Sequence, residues 1–222
     1  MSTFSIAIDG PAGAGKSSIA KQLAQKLQCI YIDTGAMYRS IGYYCISQGI
    51  NYHDEKEVDK VLNNLHLELS LGKEGQQIFL NKENVSLLIR NDQVAAAASK
   101  VATYSAVREA LVKIQRDMSK STSVVMDGRD IGTVVLPHAT LKIFLTASVE
   151  ERAQRRYKEY IAKGETPCLE TLIIEIKERD FQDSNRKISP LKKAEDAIEI
   201  DTTYMTIEEI VLQIIDLLEK RL

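Results

Sequence analysis

The hydrophobic residues of this chain fall into short continuous runs. Five runs have the length of a strand, and they lie at residues 4–9 (FSIAID), 29–33 (CIYID), 123–127 (SVVMD), 141–145 (LKIFL) and 197–200 (AIEI). Uninterrupted apolar runs of this length are typical of strands that are buried on both faces. The run at 4–9 therefore predicts a buried strand, and the other four runs predict further short strands.

Amphipathic segments with helical spacing separate most of these runs. Apolar residues recur on one face in 17–27, in 107–118 and in 207–218. Strands that alternate with helices are typical of a parallel sheet covered on both faces. The pattern therefore predicts an α/β fold.

One region departs from this alternation. Leucine occupies every second position in 65–71 (LHLELSL), and a GKEG sequence separates this run from QQIFLN at 76–81. A period of two around a glycine turn predicts an antiparallel hairpin. We interpret the hairpin as part of an insertion in the α/β core, at roughly residues 60–100.

Composition and charge exclude several classes of protein. The 222 residues carry 29 Lys+Arg against 31 Asp+Glu, so the formal charge is −2, which argues against a general nucleic-acid or membrane-binding surface. The three cysteines, Cys29, Cys45 and Cys168, are odd in number and widely spaced, so we expect reduced structural thiols rather than disulfides or a zinc site. No signal-like start and no apolar run near 18 residues occur, and we expect a cytoplasmic protein.

A glycine-rich sequence connects the first predicted strand to the first predicted helix. It matches G-x-x-x-x-G-K-[ST], in which glycines allow backbone N–H groups to surround a phosphate at a helix N-terminus. Lys16 would reach the β- and γ-phosphates, the Ser17 hydroxyl would ligate Mg²⁺, and Ser18 would add a phosphate contact. The predicted ATP site comprises Gly10, Pro11, Ala12, Gly13, Ala14, Gly15, Lys16, Ser17 and Ser18.

Asp127 ends the third predicted strand, in VVMDGRD. In a P-loop protein this is the place of a carboxylate that holds the Mg²⁺ shell, here through water. Asp-Gly is also good turn chemistry, so a plain turn is the alternative. The P-loop favours the metal role.

Arginines are concentrated in two later segments. Arg152, Arg155 and Arg156 are spaced i, i+3, i+4, and Arg179, Asp183 and Arg186 are spaced i, i+4, i+7, so each set would share a helical face. Arg39, Arg108 and Arg129 lie elsewhere. Transfer to a phosphate acceptor needs such cations to neutralise crowded negative charge, although a solvated helix face is the ordinary alternative for any one arginine.

Six motifs resemble those of the bacterial cytidylate kinases. They occur in family order and span essentially the whole chain: DGPAGAGKS, DTGAMYR, VREAL, DGRDIGTVV, ERAQRR and IKERDFQDSNR. The resemblance implies a P-loop nucleoside monophosphate kinase fold, in which a five-stranded parallel sheet flanked by helices carries an inserted monophosphate-binding domain and a short helical lid. It also implies a monomer. The near-neutral charge and the lack of an aromatic platform argue against a nucleic-acid partner, and we expect no membrane partner.

The resemblance divides the chain into functional segments. Residues 1–33, 106–150 and 187–222 would form the core, 34–105 would bind CMP and include the hairpin insertion, and 151–186 would form the lid. The implied activity is transfer of the γ-phosphoryl group of ATP, bound with Mg²⁺, to CMP or dCMP.

The resemblance also assigns roles to single residues. The implied catalytic residues are Lys16, Arg129, Arg155, Arg156 and Arg186. The implied CMP-binding residues are Thr34, Arg39, Ser99, Arg108, Arg129, Asp130, Arg179, Asp183 and Arg186. Ser99, Arg108 and Asp130 match the positions that read cytosine, whose amine a carboxylate can accept and whose O2 and N3 suit a guanidinium.

Three of these assignments have structural alternatives. Thr34 could be the N-cap of the helix after DTG, Ser99 in AAAASKVA could serve only close packing, and Asp183 could be an i, i+4 partner of Arg179. At the level of the whole protein, the rival hypotheses are a P-loop kinase for another small molecule and a P-loop switch ATPase with a protein partner.

Overall fold

The structure, a computed structural model, describes residues 3–72 and 75–222. The elements follow in the order β1 (Ser5–Asp9), α1 (Lys16–Lys26), β2 (Ile30–Asp33), α2 (Thr34–Ser47), α3 (Glu55–Leu62), β3 (Leu67–Gly72), β4 (Gly75–Leu80), β5 (Glu83–Asn84), α4 (Asp92–Val101), α5 (Ser105–Ser119), β6 (Val124–Asp127), β7 (Leu141–Thr146), α6 (Val149–Ala162), α7 (Leu169–Asn185), β8 (Ile198–Asp201) and α8 (Ile207–Glu219). A single π-helical turn, Ile131–Val135, follows β6.

The chain divides into two compact units. The first, the core unit, runs through Tyr31 and resumes at Ser121, and the second, the inserted unit, is Ile32–Lys120. The predicted boundary after residue 105 differs from this division, because α5 belongs to the inserted unit. Val107 and Leu111 of α5 lie in one hydrophobic cluster with Met37.

The five predicted strands form one sheet in the order β2-β6-β1-β7-β8. β1 lies at its centre and pairs in parallel with β6 and β7, and β7 pairs in parallel with β8. Ile6 and Ile8 of β1 are fully buried, as a continuous apolar run predicts. This confirms the α/β prediction and brings the carboxyl ends of β1 and β6 together.

Helices α1 and α8 contribute to the same hydrophobic cluster of the core unit. Ile19 and Leu23 of α1 and Ile214 of α8 pack with Ile6 in that cluster. Helix α8 begins with a capping box in which the side chains of Thr206 and Glu209 each accept a backbone N–H of the other residue.

The inserted unit contains the predicted hairpin. β3 and β4 pair antiparallel with Leu67 opposite Leu80 and Leu69 opposite Ile78. Residues 73–74 of the predicted GKEG turn lie outside the described residues. The short strand β5 was not predicted, because its two residues are exposed and carry no hydrophobic alternation.

Helices α2 and α4 approach closely at a glycine. A Cβ at Gly42 would lie 2.9 Å from the Ala98 nitrogen and 3.0 Å from the Ala97 Cβ. The close packing that Ser99 might have served is thus provided by its alanine neighbours, whereas Ser99 itself is half-buried.

None of the helices within residues 3–72 and 75–222 combines the length and hydrophobicity needed to cross a bilayer.

Replacing Gly42 by alanine tests this packing. Alanine improves helix propensity by about 1 kcal/mol, but overpacking against the α4 backbone costs more, so we expect Gly42→Ala to lower the free energy of unfolding by about 1–2 kcal/mol. Urea denaturation measures the change. The control, Ser47→Ala at an exposed position of α2, should stay within about 0.5 kcal/mol, and an equal value for both variants would contradict the packing argument.

Candidate active site

The glycines of the P-loop adopt backbone conformations that other residues avoid. Gly10, Gly13 and Gly15 have φ values of +146°, +79° and +83°. At Gly10 a Cβ would lie 2.1 Å from the Leu145 carbonyl oxygen of β7, so no side chain fits there. The loop therefore requires glycine both for its turn and for its contact with the sheet.

Lys16 is buried at the start of α1, and its Nζ donates to the Pro11 carbonyl oxygen at 2.6 Å. Burial lowers the pKa of this lysine well below its usual value, and Arg129 and Arg179 lower it further, whereas the carboxylates of Asp127 and Asp183 oppose the shift. The predicted phosphate-binding lysine thus lies among other cations, in surroundings suited to an anion.

Ser17 and Asp127, the two predicted metal residues, are in contact. The Ser17 hydroxyl donates to one carboxylate oxygen of Asp127 at 2.8 Å, and the buried hydroxyl of Tyr31 donates to the other at 2.8 Å. A hydroxyl and a carboxylate are hard oxygen ligands, the kind that Mg²⁺ uses together with phosphate oxygens and water. No group of three or more His, Cys, Asp or Glu in the described part of the chain could hold a metal ion. The donor set therefore fits Mg²⁺ bound together with a nucleotide.

Sequence reasoning missed Tyr31, which orients the Asp127 carboxylate. Tyr31 belongs to the apolar run CIYID, and nothing in that run marks a hydroxyl that reaches β6. The contact joins residues that are 96 positions apart, so it depends on the pairing of the sheet.

Arg129 and Asp183 form an ion pair. The Arg129 Nε donates to an Asp183 carboxylate oxygen at 2.8 Å, and both side chains are largely buried. Burial would raise the pKa of Asp183, but Arg129, Arg179 and Arg186 outweigh it and hold the pKa below its usual value. The Asp183 side chain thus accepts a hydrogen bond from Arg129. The structural alternative to a CMP-binding role had been an i, i+4 pair between Asp183 and Arg179.

Arg186 lies just beyond the helix that was expected to carry it. Helix α7 ends at Asn185, and Arg186 has an extended backbone, so only Arg179 and Asp183 share a helical face. The Arg186 Nη2 lies 3.8 Å from the Asp130 carboxylate. The core unit therefore brings Arg129, Asp130, Asp183 and Arg186 into one charged cluster, and their roles in CMP binding stay predictions.

Asp9 is a second residue that sequence reasoning missed. Its carboxylate accepts the backbone N–H groups of Ile131 at 2.8 Å and Gly132 at 2.7 Å. Burial raises the pKa of Asp9 to about 6, and the negative charge of Asp130 also raises this pKa. The two backbone N–H groups and the positive charge of Lys16 lower the pKa and offset part of the increase. The position of Asp9, at the end of a strand before the glycine loop, was the one available signal.

The three arginines of α6 bind different partners, although they were predicted to share one face. Buried Arg152 donates to the Ala12 carbonyl oxygen of the P-loop at 3.0 Å and forms two hydrogen bonds with Asp180 of α7. Arg155 donates to the Thr202 carbonyl oxygen at 2.7 Å. Arg156 donates to the Tyr160 hydroxyl at 2.8 Å. Arg152 is therefore a structural residue of the loop wall, and the lid roles of Arg155 and Arg156 stay predictions.

In the inserted unit, the DTG motif is organised by Asp33. Its carboxylate caps α2 by accepting the Ala36 N–H at 2.8 Å, and it pairs with the Arg39 Nη2 at 2.9 Å. The N-cap of α2 is thus Asp33, and the alternative that Thr34 caps the helix is wrong. The backbone N–H of Asp33 donates to the Gln76 side chain of β4 at 3.0 Å, which ties the hairpin to this motif.

Arg108 is buried in the inserted unit, 5.7 Å from the centre of the Tyr38 ring and 3.4 Å from the Ala102 carbonyl oxygen. The Arg39 Nε is buried and has no hydrogen-bond partner among the residues that the structure describes. Buried guanidinium groups of this kind are suited to binding anions or polar base edges.

The model of the cytidylate kinase family matches residues 6–220. The chain belongs to the cytidylate kinase family. Family members named cytidylate kinase include one from Geobacillus sp. (strain WCH70), 52% identical over 98% of this chain and 97% of that protein, and one from Bacillus subtilis (strain 168), 50% identical over 98% of this chain and 97% of that protein.

Solved P-loop kinases outside this family share the fold. A shikimate kinase from Bacteroides thetaiotaomicron has a TM-score of 0.50 and 15% identity, over 98% of this chain and 99% of that chain. At this identity the likeness concerns the fold alone.

The Tyr31 hydroxyl gives a testable prediction for this family member. Tyr31→Phe leaves the buried Asp127 carboxylate with one donor fewer, and hydrogen bonds to charged groups contribute about 1.5–3 kcal/mol. We expect the free energy of unfolding, measured with urea, to fall by about that amount. In the matched control, Tyr104→Phe removes a hydrogen bond to a neutral carbonyl, that of Tyr52, and should cost about 0.5–1.5 kcal/mol. A smaller loss for Tyr31→Phe than for the control would contradict the assigned role.

Proposed function

We propose that this protein transfers the γ-phosphoryl group of ATP to CMP or dCMP and forms ADP with CDP or dCDP. The observation that carries the proposal is the P-loop itself, where buried Lys16 precedes Ser17 and the Ser17 hydroxyl donates to Asp127 at 2.8 Å. Arg129 and Arg179 act electrostatically on this lysine. Two phosphates that approach each other concentrate negative charge, and converging cations in a buried place stabilise that charge. The names of the relatives support CMP as the acceptor.

ATP binds through residues 10–18 in this proposal. Backbone N–H groups of the loop and the N-terminus of α1 bind the phosphates, and Lys16 leaves the Pro11 carbonyl to bind the β- and γ-phosphates. Ser17 and Asp127, the latter through water, would hold Mg²⁺. The ion would supply charge neutralisation for the phosphates.

CMP binding is assigned to a set of guanidinium, carboxylate and hydroxyl groups in this proposal. Arg39, Arg129, Arg179 and Arg186 are suited to its phosphate, and the buried Nε of Arg39 offers a donor for a phosphate oxygen. Asp183 accepts from the sugar hydroxyls. Thr34 contributes a further contact to CMP.

The base is read by a carboxylate, a guanidinium and a hydroxyl. Asp130 accepts the exocyclic amine of cytosine, Arg108 donates to its O2 and N3, and Ser99 completes the set. The buried state of Asp130 and Arg108 favours selectivity, because a wrong base would leave a buried polar group unpaired.

The acceptor phosphate attacks the γ-phosphorus in line. It is already anionic near pH 7, so no protein group needs to remove a proton. Residues 151–186 act as a lid in this proposal, and Arg155 and Arg156 exchange their present partners for the transferring group. Closure excludes water, which would otherwise hydrolyse ATP.

Residues 34–105 serve as the CMP-binding domain in this proposal, and 1–33, 106–150 and 187–222 as the core. We further propose a cytoplasmic monomer whose partners are its small-molecule substrates, without nucleic acid or membrane. The near-neutral charge of −2 supports this view.

ADP formation by the pure protein tests the activity. With ATP and Mg²⁺ present, we expect ADP release that depends on CMP or dCMP and is absent with AMP or shikimate. Lys16→Ala should lower turnover by about 10²–10³-fold while thermal unfolding stays cooperative. ADP release that is independent of CMP would indicate a switch ATPase, and turnover with shikimate alone would indicate another small-molecule kinase.

The base-reading role of Asp130 has a separate test. Asp130→Ala removes the acceptor for the cytosine amine, so we expect the KM for CMP to rise by about tenfold or more, with the KM for ATP within about twofold. Steady-state kinetics measure both values. Asp117→Ala, at an exposed position that pairs with Lys120, is the control and should change neither. Equal increases in both KM values would remove Asp130 from the base-reading set.

A further inference from the structure

Asp9 lies where the P-loop and the acceptor-binding segment of the core unit meet. It is the last residue of β1 and directly precedes Gly10, the first glycine of the loop. Through its side chain it holds the backbone that directly follows Asp130. One residue thus connects the predicted ATP loop with the Arg129–Asp130 segment.

The two hydrogen bonds fix that segment at consecutive N–H groups. Oδ1 accepts from Ile131 and Oδ2 from Gly132, so each carboxylate oxygen has its own donor. A Cβ at Gly132 would lie 3.4 Å from Oδ2 and 3.1 Å from the Cδ of Lys142. The carboxylate therefore lies directly against the backbone of the π-helical turn.

A ligand cannot reach Asp9. Its exposed fraction is 4%, and both oxygens are used by the backbone. Burying a carboxylate is costly, and hydrogen bonds to backbone N–H groups offset that cost only in part. A less costly anchor would be a neutral side chain, so the carboxylate has to provide something that a neutral group does not, namely two acceptors side by side.

We propose that Asp9 is a positioning residue that holds Arg129 and Asp130 in the orientation needed to bind the acceptor nucleotide. The inference rests on the proposed function, because it concerns the same acceptor site. Asp9 affects acceptor binding through its hydrogen bonds to the backbone at 131–132. The ATP phosphates are bound by the glycine loop that follows Asp9, and Asp9 itself does not contact them.

Asp9→Asn is the direct test. The amide has the size of the carboxylate, but its NH₂ group would face one of the two N–H donors, so one hydrogen bond is lost and the turn must shift. We expect the KM for CMP to rise by about fivefold or more, and the KM for ATP to stay within about twofold. Calorimetric titration with CMP alone should show a matching loss of affinity.

Thr140→Val is the matched control. The Thr140 hydroxyl accepts the backbone N–H of Ser5 at the opposite end of β1. Its loss should lower the unfolding temperature and leave both KM values unchanged. The comparison separates a general weakening of β1 from a displacement of the acceptor segment.

The outcomes are distinct from those of the proposed function. If wild type shows no CMP-dependent ADP release, the function itself is wrong. If wild type is active and Asp9→Asn changes both KM values equally, or neither, the positioning role is overturned. Should Asp9→Asn fail to fold, Asp9→Ser decides, because its single, shorter acceptor cannot keep both hydrogen bonds to Ile131 and Gly132 and brings in no NH₂ group. A selective rise in the KM for CMP supports the role, and an unselective change or none rejects it.

Discussion

The burial of Lys16, on which Arg129 and Arg179 also act electrostatically, is the constraint on which the site of the core unit depends. Three cations near one another repel, and removal from water increases the energy of each. Asp127 and Asp183 compensate part of this energy, and they are held by Tyr31, Ser17 and Arg129. Remaining positive charge is what a polyanionic ligand would neutralise.

The arginines of the core unit fall into two groups that sequence alone does not separate. Arg152 forms two hydrogen bonds with Asp180 and one with a P-loop carbonyl, so its charge is already compensated. Arg129 and Arg186 lie beside carboxylates that belong to the predicted acceptor site. Spacing along a helix shows which arginines could share a face, but their partners decide which are structural.

The parts that were predictable from sequence are those with local signals. The buried strands were predicted because parallel strands are continuously apolar, and the P-loop because its glycines and Lys16 have a fixed spacing next to one strand and one helix. No local signal identifies the partners of Asp9, Tyr31 and Arg152, although the place of Asp9 before the glycine loop and the helical spacing of Arg152 are visible in the sequence. Each of the three side chains forms a hydrogen bond with a residue far away in the sequence. The separations are 122 residues for Asp9, 96 for Tyr31 and 140 for Arg152. Asp33 was within reach of local reasoning, because an aspartate directly before a helix is a common N-cap.

The contact between Arg152 and Ala12 restricts the movement available to residues 151–186, the proposed lid. Arg152 lies in the first turn of α6, and its guanidinium links that turn to the P-loop and to Asp180 near the end of α7. The first turn of α6 is therefore bonded to the P-loop through Arg152, and the C-terminal part of α7 is bonded to Arg152 through Asp180. The other ends of the two helices are connected by residues 163–168. In the proposed lid, a hinge would therefore lie beyond the first turn of α6, so that the ends of α6 and α7 near residues 163–168 move while the wall of the P-loop stays in place.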